Sequence, residues 1–187
     1  SAGSKLILLD FYTLTWPSCI RLDVETLRNP DVQAFSAENF ISLKYNVNKE
    51  VGSQYFKEYQ GQFVPTLLFV DSAGNEVDRI IGFMPPTEYL LRINDIAKER
   101  NTLNDYLTRY NKGEVSVDII SGIAMKYEDR KENDKAAAFY SILSTDYPDP
   151  SSEYYKHGMF FLATHQFIRG NEDALKDYVA DNPDSPF

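Results

Sequence analysis

Residues 10–27 read DFYTLTWPSCIRLDVETL and join an apolar run to a stretch of helix-forming residues. The run, Lys5–Tyr12 (KLILLDFY), shows little alternation of polar and apolar residues, which is typical of a strand buried on both faces. Beyond the junction, Leu22–Ala37 contains helix formers interrupted at Pro30, which predicts a helix, a break and a short second helix. The junction therefore predicts a strand that leads into a helix, and it contains Cys19, the single cysteine of the chain.

The residues up to about 100 continue the alternation of strands and helices. The patterns predict a strand at Phe40–Asn46, an amphipathic helix at Val51–Tyr59, and two strands joined by a turn at Pro65–Val70 and Glu76–Gly82. They also predict a final helix that is capped by Thr87 and ends near Arg100. The order is β-α-β-α-β-β-α. A parallel pair joined by a helix, followed by a hairpin and a closing helix, predicts an α/β fold with a central mixed sheet flanked by helices.

From Asn101 onward, strand signals disappear and helical periodicity dominates. Helices are predicted near 102–111, 115–129, 132–146, 152–169 and 171–180. We therefore expect two domains, an α/β domain at residues 1–100 and an all-α extension at residues 101–187.

The segment Asp10–Leu27 resembles the thioredoxin superfamily, in particular the thioredoxin-like proteins related to bacterial disulfide isomerases. The typical family segment reads D-F-Y-A-x-W-C-G-P-C-K-x-M-D-x-E-T-F, and matches on both sides allow an alignment without gaps. Cys19 then falls on the family's second, resolving cysteine, and Trp16 falls on its first, nucleophilic one. The likeness extends to about Ala97 and includes Phe63–Phe69, which resembles the segment around the family's cis-proline loop. It implies a thioredoxin-like fold.

The resemblance also implies that the usual chemistry of the family is lost. Thiol–disulfide exchange needs an attacking thiolate and usually a second thiol that resolves the mixed disulfide. Trp16 supplies no sulfur, and Cys19 would lie one turn further in, so we expect no dithiol oxidoreductase activity. Two interpretations of Cys19 stay open. It is a small buried apolar residue, or a one-residue shift of the loop makes it the thiol of a monothiol oxidoreductase or isomerase that uses external thiols such as glutathione.

Two further positions match functional residues of the family. Asp10 matches its buried aspartate, which shuttles protons for the resolving cysteine. In this chain Asp10 either keeps that role or is a remnant acid without a catalytic function, and burial should raise its pKa. Pro65 matches the cis-proline, beside which the family pairs with extended peptides. That surface needs no cysteine, so we expect it to bind peptide, unless Pro65 only completes the fold. The expected rim of the site is apolar and consists of Trp16, Pro17, Phe63 and Val64.

The composition argues against several classes of function. A formal net charge of −9 and a pI of about 4.7 would repel phosphate backbones, so no nucleic-acid partner is expected. The longest apolar runs are strand-sized and far shorter than the ~20 residues of a membrane span. His157 and His165 share a predicted helix face, but no acid or cysteine accompanies them at ligand spacing. We therefore predict neither a metal site nor a cofactor.

The helical extension contains one stretch, Val117–Pro148, that matches the tetratricopeptide-repeat (TPR) template. Ala124 and Ala136 are small enough to let two helices approach closely, and Tyr127 and Tyr140 would fill the space between them. This TPR-like hairpin either packs as a stabilising cap or binds a partner. The aromatic residues between 154 and 167 are accordingly either core or a docking surface.

These features predict a redox-inactive thioredoxin-fold protein that acts as a polypeptide-binding, chaperone-like or adaptor module. The alternatives are the monothiol enzyme that uses Cys19 and a purely structural role within a larger chain. We expect a polypeptide or protein partner, whose identity the sequence leaves open together with the oligomeric state. The resemblance implies an exported, periplasmic location, and a cytoplasmic one stays open.

Overall fold

The computed structural model describes residues 5–183 and 185–186. The chain divides into two units, of which the first ends at Thr102 and the second begins at Leu103. The first unit contains the β-sheet, and the described part of the second is built from helices.

The first unit is organised around a four-stranded sheet with the strand order β2-β1-β3-β4. The strands are β1 (Leu6–Tyr12), β2 (Phe40–Asn46), β3 (Thr66–Val70) and β4 (Glu76–Ile81). β1 pairs parallel with β2 and antiparallel with β3, and β3 pairs antiparallel with β4. The predicted α/β fold with a central mixed sheet is therefore confirmed.

The helices of the first unit are α1 (Pro17–Arg21), α2 (Pro30–Asn39), α3 (Glu50–Glu58) and α4 (Pro86–Ala97). α1 continues directly as a π-helical segment, Leu22–Leu27. The helix thus begins at Pro17 and not near Leu22, because proline is well suited to the first helical position, where an N–H donor would have no partner. Thr87 was expected to cap α4, but Pro85 is the N-cap residue and the helix begins one residue before Thr87.

Each face of the sheet has its own apolar core, because successive side chains of a strand point to opposite faces. On one face, Leu6 and Leu8 of β1 pack with the buried side of α4, which includes Tyr89, Ile93 and Ile96. On the other face, Leu9 and Phe11 pack with Leu68 and Val70 and with the partly buried rings of Tyr45, Phe56 and Tyr59. β3 is buried along its whole length and contributes to both clusters.

The described part of the second unit contains α5 (Leu103–Asn111), α6 (Val117–Asp129), α7 (Asn133–Asp146), α8 (Glu153–Ile168) and α9 (Glu172–Asp181). Each helix packs against the next along the chain. Ala124, Ala136 and Tyr140 are fully or almost fully buried between α6 and α7, and Tyr127 packs against them. The assignment of this hairpin as TPR-like stays a prediction. Among the described residues, no helix combines the length and apolarity needed to cross a bilayer.

One carboxylate connects three helices of the second unit. Glu128 of α6 accepts a hydrogen bond from the hydroxyl of Tyr140 of α7 and another from Nε2 of His157 of α8, both at 2.8 Å. Burial alone would raise the pKa of Glu128, but the hydrogen bonds from His157 and Tyr140 outweigh it and hold that pKa below its ordinary value. The bond with Glu128 also raises the pKa of His157 against the opposing effect of burial.

Candidate functional site

The junction between β1 and α1 places a bulky aromatic residue at the start of a helix. Trp16 is the N-cap residue, with extended backbone angles (φ −80°, ψ 123°). Its carbonyl oxygen accepts hydrogen bonds from the N–H groups of Cys19 (3.0 Å) and Ile20 (3.2 Å). The indole is 55% exposed. It therefore occupies the helix N-terminus, which is where the family resemblance puts the attacking cysteine.

Cys19 is the third residue of this helix and is only 6% exposed. It lies with the buried apolar side chains of the first unit and lines a cleft that Pro65 also lines. A reactive cysteine needs access for an electrophile, and this burial restricts such access. The geometry fits the alignment without gaps, in which Cys19 lies one turn inside the helix.

The loop that leads into β3 contains a cis peptide bond between Val64 and Pro65. The carbonyl oxygen of Pro65 accepts a hydrogen bond from the N–H group of Gly82 at 2.9 Å, and Oγ1 of Thr66 donates to the carbonyl oxygen of Phe63 at 2.7 Å. Pro65 is buried, Val64 is half-buried and Phe63 is exposed. The loop is therefore anchored at its base while the ring of Phe63 faces solvent.

A cleft of about 390 Å³ is lined by both the helix and this loop. Of the residues proposed from the sequence, Asp10, Cys19 and Pro65 line it together. Trp16, Pro17, Phe63 and Val64 are not among its lining residues, and they lie in the chain segments that flank it.

The rim of the cleft carries apolar side chains that the sequence reasoning missed. Leu14, Ile20 and Val24 line the cleft and are 49% to 71% exposed. The signal was present in the sequence, because Trp16, Ile20 and Val24 are spaced by four residues, and this spacing places them on one helix face. We use the name cis-proline surface for Pro65 together with the exposed apolar side chains of the cleft and of the segments that flank it: Leu14, Trp16, Ile20, Val24 and Phe63.

The charged groups of the cleft are paired with one another. Asp10 is buried and lies opposite Lys44 in the parallel register of β1 and β2, with 3.4 Å between Lys44 Nζ and Asp10 Oδ2. Lys44 also lies 2.7 Å from Oδ1 of Asp23, whose other oxygen accepts from Arg28. Burial raises the pKa of Asp10, as the sequence suggested, although Lys44 opposes the shift. Hydrogen bonds from Lys44 and Arg28 hold the pKa of Asp23 below its ordinary value.

The two histidines occupy the second unit and each contacts a carboxylate. His157 bonds Glu128 as described above, and Nε2 of His165 lies 3.0 Å from Oδ1 of Asp134. Within residues 5–183 and 185–186, no group of three or more His, Cys, Asp or Glu side chains has an arrangement that could hold a metal ion.

Comparison with known protein families gives a match that covers most of the first unit. A family model described as a thioredoxin-like domain matches residues 1–97. A search of curated proteins gave no match.

Solved structures give further similarities over the same half of the chain. A thioredoxin from Thermus thermophilus is 24% identical and covers 49% of this chain and 73% of its own, with a TM-score of 0.46. The C-terminal domain of DsbD from Neisseria meningitidis in the reduced form is 28% identical over 53% of this chain and 84% of its own, with a TM-score of 0.42. A DsbH oxidoreductase is 18% identical and covers 51% of this chain and 74% of its own, with a TM-score of 0.43.

Proposed function

The chain belongs to the thioredoxin-like domain family, and from that premise we propose that its first unit binds polypeptides at the cis-proline surface without catalysing thiol–disulfide exchange. The single observation that carries this proposal is the exposed indole of Trp16 at the helix N-terminus, close in the chain to the exposed apolar residues Leu14 and Ile20. The partner is therefore an extended, apolar segment of a polypeptide.

The cis-proline surface has the properties of a docking surface for such a segment. Exposed apolar side chains that lie together on a soluble domain commonly mark an interaction site. The aspartates of the cleft, Asp10 and Asp23, are paired with Lys44. Leu14, Ile20 and Val24 remain as exposed apolar side chains in the lining. An extended peptide beside Pro65 would add main-chain hydrogen bonds to the apolar contacts, as in strand addition.

The same geometry argues against redox catalysis. Trp16 has no nucleophilic atom to attack a disulfide, and Cys19 is buried with no second cysteine in the chain to resolve a mixed disulfide. The alternative function is a monothiol oxidoreductase or isomerase, which requires Cys19 to reach an external disulfide.

Removal of two apolar side chains from the surface should weaken polypeptide binding at least tenfold. Trp16→Ser combined with Ile20→Ser removes contacts worth about 1–2 kcal/mol each, and about 1.4 kcal/mol corresponds to a factor of ten in affinity. Binding is measured by fluorescence anisotropy with a fluorescein-labelled, permanently unfolded polypeptide such as reduced, carboxymethylated lactalbumin.

Leu91→Ser is the matched control, because Leu91 is a similarly exposed apolar residue on α4 that does not line the cleft. This variant should bind like the wild type. Equal binding by the double variant and the wild type, or the absence of any binding by the wild type, would refute the proposal.

Cys19 should react with iodoacetamide about 100-fold more slowly in the folded protein than in urea, because the thiol is 6% exposed and labelling requires local opening. Mass spectrometry of the labelled chain gives both rates.

An insulin-reduction assay should show no turnover above the uncatalysed rate. Rapid labelling of the folded chain together with turnover in the presence of glutathione would instead support the monothiol enzyme.

A further inference from the structure

The second unit contains a cleft of about 480 Å³ that is separate from the surface described above. One wall is a stripe along α8 that extends from His157 to Arg169, and the other is formed by residues at the junction of α6 and α7, from Glu128 to Asp134. We call this the α8 cleft. Its size is within the range of sites that bind small molecules or the end of a peptide.

Aromatic side chains form the apolar part of the α8 cleft. Phe161 stacks on His165, with ring centroids 6.0 Å apart and planes 11° from parallel, and it also contacts Tyr140 at 4.9 Å. Phe160 contacts Tyr178 of α9 at 5.6 Å. These contacts fix the two phenylalanine rings before any ligand arrives, which favours binding of a flat apolar group.

A buried hydroxyl lies between the aromatic residues and the charged end of the stripe. Oγ1 of Thr164 is shielded from solvent and has no hydrogen-bond partner among the described residues. Thr164 lines the cleft. A buried polar atom without a partner costs free energy, and a ligand that offers a polar atom at this point would remove that cost.

A guanidinium at one end of the α8 cleft can bind an anionic group. The two acids of the cleft are already bound by its own bases: Glu128 by His157, and Asp134 by both His165 and Arg169. Lys131 also lines the cleft, and its charge acts on Glu128. The guanidinium of Arg169 is well exposed and bonds Asp134 through Nη1 at 2.7 Å, and a guanidinium carries further N–H donors that suit a carboxylate.

We propose that the α8 cleft binds an aromatic carboxylate, meaning a ring joined through a short chain to a carboxylate group. The ring packs against Phe160 and Phe161, and Arg169 binds the carboxylate. Rotation of the Thr164 side chain about χ1 turns its hydroxyl into the cleft, where it donates a hydrogen bond to the ligand. Such a group is present at the C-terminus of a polypeptide that ends in an aromatic residue, and in small aromatic acids.

Isothermal titration calorimetry on the full chain with three probes tests this site. The probes are acetyl-Gly-Phe with a free carboxylate, the same dipeptide with a C-terminal amide, and 3-phenylpropionate. We expect the free acid to bind at least tenfold more tightly than the amide. A peptide acid that binds more tightly than 3-phenylpropionate identifies a polypeptide C-terminus as the ligand, and equal affinities identify a free aromatic acid.

Variants of the lining residues locate the binding. Arg169→Gln should weaken binding of the peptide acid about tenfold and Thr164→Val about fivefold, whereas Lys176→Gln, which removes an exposed cation from α9 outside the cleft, should leave it unchanged. Circular dichroism confirms that each variant is folded. Equal affinities for acid and amide, an unchanged affinity in Arg169→Gln, or no binding of any probe at millimolar concentration would overturn the proposal.

Discussion

Replacing Gly52 with alanine is expected to lower the free energy of unfolding of the first unit by about 2–3 kcal/mol. Gly52 is buried in α3, and a Cβ atom at this position would lie 2.1 Å from the carbonyl oxygen of Asn46 and 2.7 Å from its carbonyl carbon. Both atoms belong to the backbone at the end of β2. Because no side-chain rotation relieves this overlap, either α3 or the end of the strand must move.

Whether Gly52→Ala raises or lowers the free energy of unfolding distinguishes helix propensity from steric overlap. Glycine to alanine in a helix interior normally stabilises by about 1 kcal/mol, so a loss identifies the close approach of α3 to β2 as the cause. Gln54→Ala, at an exposed position of the same helix, is the control and should change stability by less than about 0.5 kcal/mol. Urea denaturation followed by the fluorescence of Trp16, the single tryptophan of the chain, measures both. An unchanged midpoint for Gly52→Ala would contradict this packing.

Replacing Glu128 with alanine is expected to destabilise the second unit by about 2–3 kcal/mol between pH 5 and 6. Tyr140, which is 1% exposed, loses the carboxylate that accepts from its hydroxyl, and a buried polar group without a partner is costly. His157 loses its ion pair with the same carboxylate. Tyr140→Phe removes only one of the two hydrogen bonds and should cost about 1 kcal/mol. Hydrogen exchange followed by mass spectrometry at peptides from α6 to α8 measures the local free energy of opening.

The contribution of the Glu128–His157 pair depends on pH in both directions. The pKa of His157 is raised above its ordinary 6.5 in the folded state, so its contribution is complete below that value and is lost as pH rises through the folded pKa. The pKa of Glu128 is lowered, so its contribution is present above the ordinary 4.5 and is lost as pH falls through the folded pKa. The difference between wild type and Glu128→Ala should therefore be largest between 4.5 and 6.5.

Asp134→Ala provides the matched control, because it removes a carboxylate that also bonds a histidine of α8. The side chain of Asp134 is 77% exposed, whereas that of Glu128 is 27% exposed. An exposed ion pair contributes little, so this variant should cost less than about 1 kcal/mol. Equal losses in the two variants, or a Glu128→Ala loss that is independent of pH, would show that burial of the carboxylate is not the cause.

The order of strands and helices could be read from the sequence because it follows from local properties. The apolar run of Lys5–Tyr12 and the alternation of Phe40–Asn46 predicted β1 and β2 to within a residue. Helix boundaries were less certain where capping decides them, as the differences at Pro17 and Pro85 show. The motif around Trp16 and Cys19 likewise predicted a strand-to-helix junction with a single thiol.

The contacts of the site depended on strand register and on burial, which residue patterns along the chain do not specify. Lys44 meets Asp10 because β1 and β2 pair in parallel in one particular register. Ile20 and Val24 line the site because the opposite side of their helix, which includes Cys19 and Leu22, is buried in the core. In the second unit, Glu128 and His157 meet across 29 residues of sequence. The sequence by itself thus determined the elements, their order and the presence of a single thiol. Only the tertiary structure decided which side chains share a cleft, because such contacts arise from long-range packing and not from local periodicity.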